Sequence, residues 1–363
     1  MYLHELENWW NFRYDSARLI NLLGRIRMKQ GTILGRMYSI GFAFQEETVL
    51  STLSMELVHS SEIEGEKLNV SEVRSSIARR LGIERAGMVP SSRYIEGVVE
   101  MLLDATQHYN VPLSDERLFG WHNVLFPTGR SGIYRIEVGK YRTGDMEVVS
   151  GAMGFEKVHY KAPAPERVPE EMQRFIDWVN TDTETDGVIK AGIAHLWFVS
   201  IHPFDDGNGR ISRAITDMLL SKSENSGKRF YSMSSEIKLM QKEYYDVLER
   251  TQRGDGDITE WLIWFLECFE KALDTTEHNL AVILDKTELW DRHRNMEFNE
   301  RQRKLINMQY DGSSGKLTSS KWAEIAKCSP DTALNDIKDL IAKGVLEKTG
   351  DGGRSTNYRL IRK

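Results

Sequence analysis

Cysteines and long apolar runs are both scarce in this chain of 363 residues. The two cysteines, Cys268 and Cys328, have no metal-ligand spacing and leave no room for a disulfide framework, which is typical of a reducing compartment. No apolar run is long enough to cross a bilayer. The first residues also lack the basic and apolar regions of a secretory signal peptide. We therefore expect a cytoplasmic protein with no membrane partner.

An excess of charge of one sign is also lacking. The 48 Lys and Arg residues against 54 Asp and Glu give a net charge of −6, which excludes a polycation of the nucleic-acid-binding type. Hydrophobic residues make up 40% of the chain, enough for a substantial core, and the length predicts two or three domains. We predict a helical N-terminal domain over 1–88, a central core over 89–286 and a C-terminal domain over 287–363.

The densest group of reactive side chains lies between His202 and Arg213, where the chain reads His-Pro-Phe-Asp-Asp-Gly-Asn-Gly-Arg-Ile-Ser-Arg. Apolar residues then recur at helical spacing: Ile211, Ala214, Ile215, Met218 and Leu219. Gly207 to Gly209 are therefore predicted to lie at a helix N-terminus. Free N–H groups and the positive end of the helix dipole favour a phosphate at that position.

The charged residues of this segment suit the same ligand. Arg210 and Arg213 are three residues apart, so both guanidiniums can grip phosphate oxygens. Asp206 offers a hard oxygen ligand for Mg²⁺ that bridges phosphates. The ordinary pKa of an imidazole makes His202 the best general base near neutrality. Each residue alone is more commonly structural, but their clustering indicates a site where a polyphosphate meets a hydroxyl.

The segment resembles the signature of the Fic (filamentation induced by cyclic AMP) family, His-x-Phe-x-(Asp/Glu)-Gly-Asn-Gly-Arg-x-x-Arg, at all eight fixed positions. The resemblance implies a mainly α fold, namely a helical core with a short β-hairpin flap. It implies transfer of AMP from ATP to a Tyr, Ser or Thr hydroxyl of a target protein. Self-modification and a homodimer are further expectations from the family.

The resemblance also implies a role for each residue. His202 would deprotonate the target hydroxyl, and Asp206 would hold Mg²⁺. Arg210 and Arg213 would hold the outer phosphates of ATP, with Arg213 on the γ-phosphate. The anion hole for the α- and β-phosphates would be formed by Gly207, Asn208 and Gly209.

A hairpin is predicted by two short β-prone runs, 146–149 and 157–160, with glycines between them. The resemblance implies that this flap, within 141–165, docks the main chain of the target by strand addition. Val148 or Val149 would then clamp the target. Ordinary packing of these valines within the strand is an equally good interpretation.

A second pattern precedes the predicted core. Residues 46–64 have apolar residues in helical register, and Gly65 suits the position just after a helix. A carboxylate at a helix C-terminus is disfavoured by the dipole, so Glu64 calls for a cationic partner. Ser60 and Glu64-Gly65 resemble the inhibitory motif (Ser/Thr)-x-x-x-Glu-(Gly/Asn) of Fic proteins. The resemblance implies that Glu64 pairs with Arg213, blocks the γ-phosphate and autoinhibits the enzyme.

The C-terminal part changes character. Two predicted helices, 318–326 and 330–342, are followed by short predicted strands at 344–347 and 357–360. This order is typical of a winged helix-turn-helix. Ten Lys and Arg against six Asp and Glu give residues 315–363 a net charge of +4.

The second of these helices has an unsuitable charge for reading DNA. It carries Asp331, Asp336 and Asp339 against the single cation Lys338. A helix that reads DNA presents cations and amides to the groove. Sequence-specific DNA binding therefore stays open, but docking of a protein or weak contact with the DNA backbone is the favoured interpretation.

Three alternatives to AMP addition stay open. The core could remove AMP from a modified protein, with a glutamate positioning the water, or it could transfer another nucleotide monophosphate. In a different class of function, the protein is a DNA-binding regulator whose core senses a nucleotide. AMP incorporation by a Glu64→Gly variant separates the transferase from the regulator, for which we expect a salt-sensitive shift of random duplex.

Overall fold

Helices account for most of the molecule. The computed structural model describes residues 1–39, 41–83, 87–150, 157–310, 316–349 and 356–361. The protein is mainly α, with 65% helix and small antiparallel hairpins, which confirms the predicted fold class. No helix in the described part of the chain has the length and apolar character needed to span a membrane. The chain divides into two compact units, Met1–Thr276 and Glu277–Lys363.

The first unit contains ten complete described helices and the start of an eleventh. In chain order they are α1 (Ser16–Ser39), α2 (Phe42–Ile63), α3 (Val70–Arg80), α4 (Arg93–Gln107), α5 (Asp115–Leu125), α6 (Val168–Thr181), α7 (Gly187–Ile201), α8 (Asn208–Glu224), α9 (Met233–Leu239), α10 (Gln241–Gln252) and α11 (Thr259–Arg292). Two antiparallel hairpins interrupt them: β1 (Arg130–Ser131) with β2 (Tyr134–Arg135), and β3 (Glu147–Ser150) with β4 (Lys157–Lys161).

Helix α7 lies in the core of the first unit. All its residues from Val188 to Ile201 are buried, as expected for a helix that is apolar on every face. It packs extensively against α8, and α6 packs against it as well. The apolar residues of α8 that predicted this helix are all buried, and they are Ile211, Ala214, Ile215, Met218 and Leu219. The loop between α7 and α8 is therefore anchored at both ends in the core.

Helix α2 carries Glu64 at its C-terminal end and packs against this core. It packs mainly against α9 and α3, and also contacts α4 and α8. It begins at Phe42 rather than at the predicted residue 46, because Gly41 provides the N-cap position. It ends with Glu64 as its C-cap, followed by Gly65 at φ +82°. A left-handed residue at this position is a common helix terminator.

The β3–β4 hairpin matches the strands predicted for the flap. Val148 pairs with Tyr160 and Val149 with Val158, and the register shifts between the two valines. Tyr160 is buried and donates to the carbonyl of Ser200 at 2.7 Å, so β4 is fixed to the end of α7. The glycines predicted in the turn, Gly151 and Gly154, lie outside the described residues.

The second unit has its own apolar core. Its elements after α11 are α12 (Glu300–Tyr310), α13 (Ser319–Ala326), α14 (Pro330–Ala342), β5 (Leu346–Thr349) and β6 (Asn357–Leu360). The fully buried core residues include Trp322, Ile337 and Leu340. Strand β5 begins two residues later than predicted. The reason is that Val345 donates to the carbonyl of Leu340 at 2.9 Å, which extends the end of α14.

Candidate active site

His202 ends α7 in a left-handed conformation, with φ 50° and ψ 59°. Its Nδ1 lies 3.2 Å from the carbonyl oxygen of Val199. Since a carbonyl only accepts, Nδ1 carries the proton and Nε2 keeps its lone pair. Burial lowers the pKa of His202, so the imidazole is neutral at neutral pH. The side chain therefore has the tautomer and protonation state of a general base.

Arg142 holds the main chain around His202. Its side chain is 2% exposed, and its Nε donates to the His202 carbonyl at 2.8 Å. Its guanidinium also donates to the carbonyls of Gly144 and Pro163 at 2.8 and 2.6 Å. The main-chain N–H of Arg142 donates to Pro203 at 2.9 Å. This positioning residue was missed in the sequence, where an isolated arginine 60 positions before the loop gives no signal.

The loop is closed by its own residues. The Asn208 side chain accepts from the N–H of Phe204 at 3.0 Å and donates to its carbonyl at 2.8 Å. Phe204 is fully buried and stacks on the imidazole of His122, with 4.2 Å between ring centroids. His122 in turn lies with its Nε2 3.2 Å from the Asp206 carbonyl. The Asn208 side chain thus holds the loop closed through both of its polar atoms.

Gly207 to Gly209, the residues of the predicted anion hole, lie at the N-terminus of α8, here called the cradle, and a carboxylate lies against them. Gly207 is the N-cap at φ +82°, and α8 begins at Asn208. A Cβ built on Gly209 would lie 2.1 Å from Oε1 of Glu64. The Glu64 carboxylate therefore rests directly against the Gly209 main chain. An anion bound at this helix end would meet the same main chain.

Arg213 and Glu64 form an ion pair in this structure. Arg213 Nη2 donates to Glu64 Oε1 at 2.8 Å and to the Ser60 carbonyl at 2.9 Å. Its Nε donates to the Ser60 hydroxyl at 2.8 Å. Burial disfavours the charge of Arg213, but the nearby Glu64 carboxylate raises its pKa. Within the described part of the chain, Nη1 of Arg213 has no hydrogen-bond partner, so one buried donor remains open at the cradle.

Arg210 is held by a different pair of side chains. Its Nη1 donates to Glu66 Oε2 at 2.9 Å and to the Tyr94 hydroxyl at 2.7 Å. Its Nη2 lies 3.7 Å from Asp206 Oδ1. Sequence reasoning missed Glu66 and Tyr94. The proximity of Glu66 to Glu64 was the available signal, whereas Tyr94 on α4 gave none.

Asp206 lies at the outer side of the cradle. Its side chain is 40% exposed, and its Oδ1 accepts from the N–H of Gly207 at 2.5 Å. Its Oδ2 accepts from the hydroxyl of Ser131. In the described ranges, no group of three or more His, Cys, Asp or Glu side chains could hold a metal. A single accessible carboxylate fits Mg²⁺ when phosphate oxygens and waters supply the other ligands.

The two valines of the predicted flap differ in exposure. Val148 is half-buried, whereas Val149 is 47% exposed. In the part of the chain that the structure describes, β3 is paired only with β4.

A family model described as Fic/DOC family matches residues 112–220. The chain contains a Fic/DOC domain. The matched range includes Arg142 and the whole segment from His202 to Arg213. A second model, described as a domain of unknown function (DUF4172), matches residues 2–83. Ser60 and Glu64 therefore belong to the second match, outside the Fic/DOC range.

Curated relatives agree with this assignment. Proteins named protein adenylyltransferase Fic from Drosophila willistoni and Drosophila yakuba are 28% and 26% identical over 229 and 281 residues, or 60% and 72% of this chain. The chain spans 40% and 51% of those two relatives.

The solved structures share the fold. A Fic family protein from Desulfovibrio desulfuricans is 21% identical with a TM-score of 0.52, over 95% of this chain and 96% of that one. A Fic domain-containing signalling protein from Bacteroides thetaiotaomicron is 20% identical with a TM-score of 0.51, over 70% of this chain and 94% of that one.

Proposed function

We propose that the protein transfers AMP from ATP to a hydroxyl side chain of a target protein, and that Glu64 autoinhibits this reaction. The observation that carries the proposal is the Glu64 carboxylate, which lies against Gly209 at the N-terminus of α8, within the Fic/DOC match, and pairs with Arg213. A neutral imidazole at His202 lies at the other end of the same loop. The relatives named protein adenylyltransferase Fic support the choice of AMP as the transferred group.

In the proposed reaction, Nε2 of His202 accepts the proton of the target hydroxyl. The hydroxyl oxygen forms a bond to the α-phosphorus of ATP, while the bond from that phosphorus to the bridging oxygen breaks and pyrophosphate leaves. The N–H groups at the start of α8 stabilise the charge on the α- and β-phosphates. Arg210 and Arg213 bind the outer phosphates. Mg²⁺ held by Asp206 would neutralise phosphate charge when bound.

The proposed inhibition is a competition between two anions. The γ-phosphate of ATP and the Glu64 carboxylate both require Arg213, which is 3% exposed and cannot turn to solvent. The carboxylate also lies against Gly209, where the triphosphate has to pass along the helix end. Displacing Glu64 therefore frees both the cation and the cradle.

Mass spectrometry of the Glu64→Gly protein after incubation with ATP and Mg²⁺ tests the proposal. We expect an AMP adduct on the protein itself or on a protein of an added lysate, and little adduct with the unmodified sequence. His202→Ala in the Glu64→Gly background should give far less adduct, because the general base is lost. A Glu64→Gly protein that binds ATP yet leaves no adduct in either sample contradicts transferase activity. Removal of AMP from a modified substrate by the unmodified sequence would instead favour the reverse reaction.

A second candidate function is contact with nucleic acid by the C-terminal unit. Two of the aspartates that argued against DNA face their own unit. Asp336 is buried and accepts from Arg301 Nε at 2.7 Å, and Asp339 accepts from Gln302 Nε2 at 2.7 Å. The exposed residues of α14 include the amide Asn335 and the cation Lys338, together with Asp331, and the Asp339 side chain is 46% exposed. Burial of Asp336 therefore removes one of the three aspartates from the surface that this helix could present to DNA.

Fluorescence anisotropy of a labelled random duplex with the full chain tests this second function. We expect salt-sensitive binding that Lys338→Glu weakens and that Lys304→Glu, on the exposed side of α12, leaves nearly unchanged. Absence of binding at low salt, or equal loss in both variants, contradicts a role for α14.

A further inference from the structure

We infer that Glu66 and Tyr94 form a second inhibitory contact at the same site. They hold Arg210, as Glu64 holds Arg213, and thereby weaken binding of the triphosphate of ATP. The Glu64–Arg213 contact is here called the first lock, and the contact of Glu66 and Tyr94 with Arg210 the second lock. This inference rests on the proposed function, because it assigns Arg210 to the outer phosphates. It adds two residues, one of them on α4, to the group that controls access to the cradle.

The contact is a closed triad around a buried cation. Arg210 is 3% exposed, and a single guanidinium nitrogen, Nη1, donates both to Glu66 and to Tyr94. The Tyr94 hydroxyl donates to the same carboxylate oxygen of Glu66. Burial raises the pKa of Tyr94, so its hydroxyl stays neutral and keeps the proton that this bond needs. Each of the three groups thus bonds to the other two.

The carboxylates of the two locks come from one turn of the chain. Glu64 is the C-cap of α2, and Glu66 follows after the left-handed Gly65. The N–H of Glu66 donates to the Ser61 carbonyl at 3.0 Å, which ties this residue to the helix end. A displacement of this turn therefore withdraws both carboxylates together. Loss of the Glu64 side chain alone leaves Arg210 occupied.

The second lock is expected to be the weaker one. The Glu66 side chain is 40% exposed, whereas that of Glu64 is 30% exposed and lies against the cradle itself. Solvent screens a partly exposed carboxylate, so its contribution to nucleotide affinity is modest, roughly two- to fivefold. Arg210 has no hydrogen-bond partner at Nε among the described residues, so one further donor is present for a phosphate oxygen.

The test measures nucleotide affinity and turnover in the full-length Glu64→Gly background. Calorimetric titration with Mg-ATP and with AMP is combined with the kinetics of AMP incorporation. Glu66→Gln should lower both the Kd and the KM for ATP by roughly two- to fivefold, with little change in kcat. Tyr94→Phe should act in the same direction by a smaller factor. Neither variant should change the Kd for AMP, which lacks the outer phosphates.

Glu62→Gln is the matched control, because it removes one negative charge from the same helix end without removing a partner of either arginine. An unchanged or higher Kd for ATP in both Glu66→Gln and Tyr94→Phe overturns the second lock. An equal fall in Glu62→Gln overturns it as well, since the effect is then one of general charge. If Glu64→Gly transfers no AMP, the proposed reaction fails, and the Kd series still decides this inference.

Discussion

The two ends of the loop between α7 and α8 are held by opposite kinds of contact. At the His202 end, the partners are main-chain carbonyls, the Asn208 amide and the guanidinium of Arg142. At the arginine end, the partners include carboxylates from a separate segment of the chain. Carbonyl and amide contacts do not compete with ATP, whereas carboxylates do. The base is thus fixed in place, and the phosphate-binding end is the part open to control.

The largest expected effect tests the fixed end of this comparison. His202→Ala in the Glu64→Gly background should reduce AMP incorporation by roughly 10²–10⁴-fold, because a general base is lost. ATP binding should be nearly unchanged, since the phosphate contacts lie at the other end of the loop. Radiolabel incorporation and calorimetric titration measure the two quantities. A variant that loses ATP affinity in proportion to its activity would show that the two ends are not separable.

The next largest effect is expected for Arg142→Ala, which should lower the free energy of unfolding. Removing this guanidinium leaves the carbonyls of His202, Gly144 and Pro163 without their donor, and the contact to Pro163 is buried. A buried group left unsatisfied costs about 1–3 kcal/mol, and a solvent-accessible carbonyl costs less. Urea denaturation measures the loss. Arg135→Ala, at an exposed residue of β2, is the control and should change stability by less than about 0.5 kcal/mol. Equal losses in the two variants would contradict a positioning role for Arg142.

The same contrast explains how much could be predicted from the sequence. The reactive residues of segment 202–213 and the buried face of α8 could be predicted, because local residue spacing determines both. The Glu64–Arg213 contact, across 149 positions, was expected through the resemblance to a family motif. Arg142, Glu66 and Tyr94 were missed because their partners lie far away in the chain. Asp336 was misjudged because composition does not tell which face of a helix is buried.

A smaller effect is expected from a conservative substitution of a carboxylate at the arginine end of the loop. Glu64→Gln should lower the free energy of unfolding by about 1 kcal/mol, because buried Arg213 loses its charged partner but keeps both contacts to Ser60. Saturating ATP should then stabilise this variant more than the parent, since binding to the folded state adds to its stability. Thermal denaturation with and without ATP measures both changes. Glu62→Gln should alter neither, and an equal ATP-induced shift in parent and variant would argue against competition for Arg213.

The smallest expected effect is a displacement of the pH profile. Burial lowers the pKa of His202 from its ordinary value near 6.5, so the base is neutral above that lowered pKa and is lost by protonation as pH falls through it. The acid limb of kcat/KM for the Glu64→Gly enzyme should therefore have its midpoint below 6.5, because kcat/KM reports groups of the free enzyme. Activity measured from pH 5 to pH 8, with circular dichroism at each point to exclude unfolding, determines the limb. A midpoint above 6.5 would mean that the imidazolium is stabilised, and the His202 end would then depend on charge as much as the arginine end does.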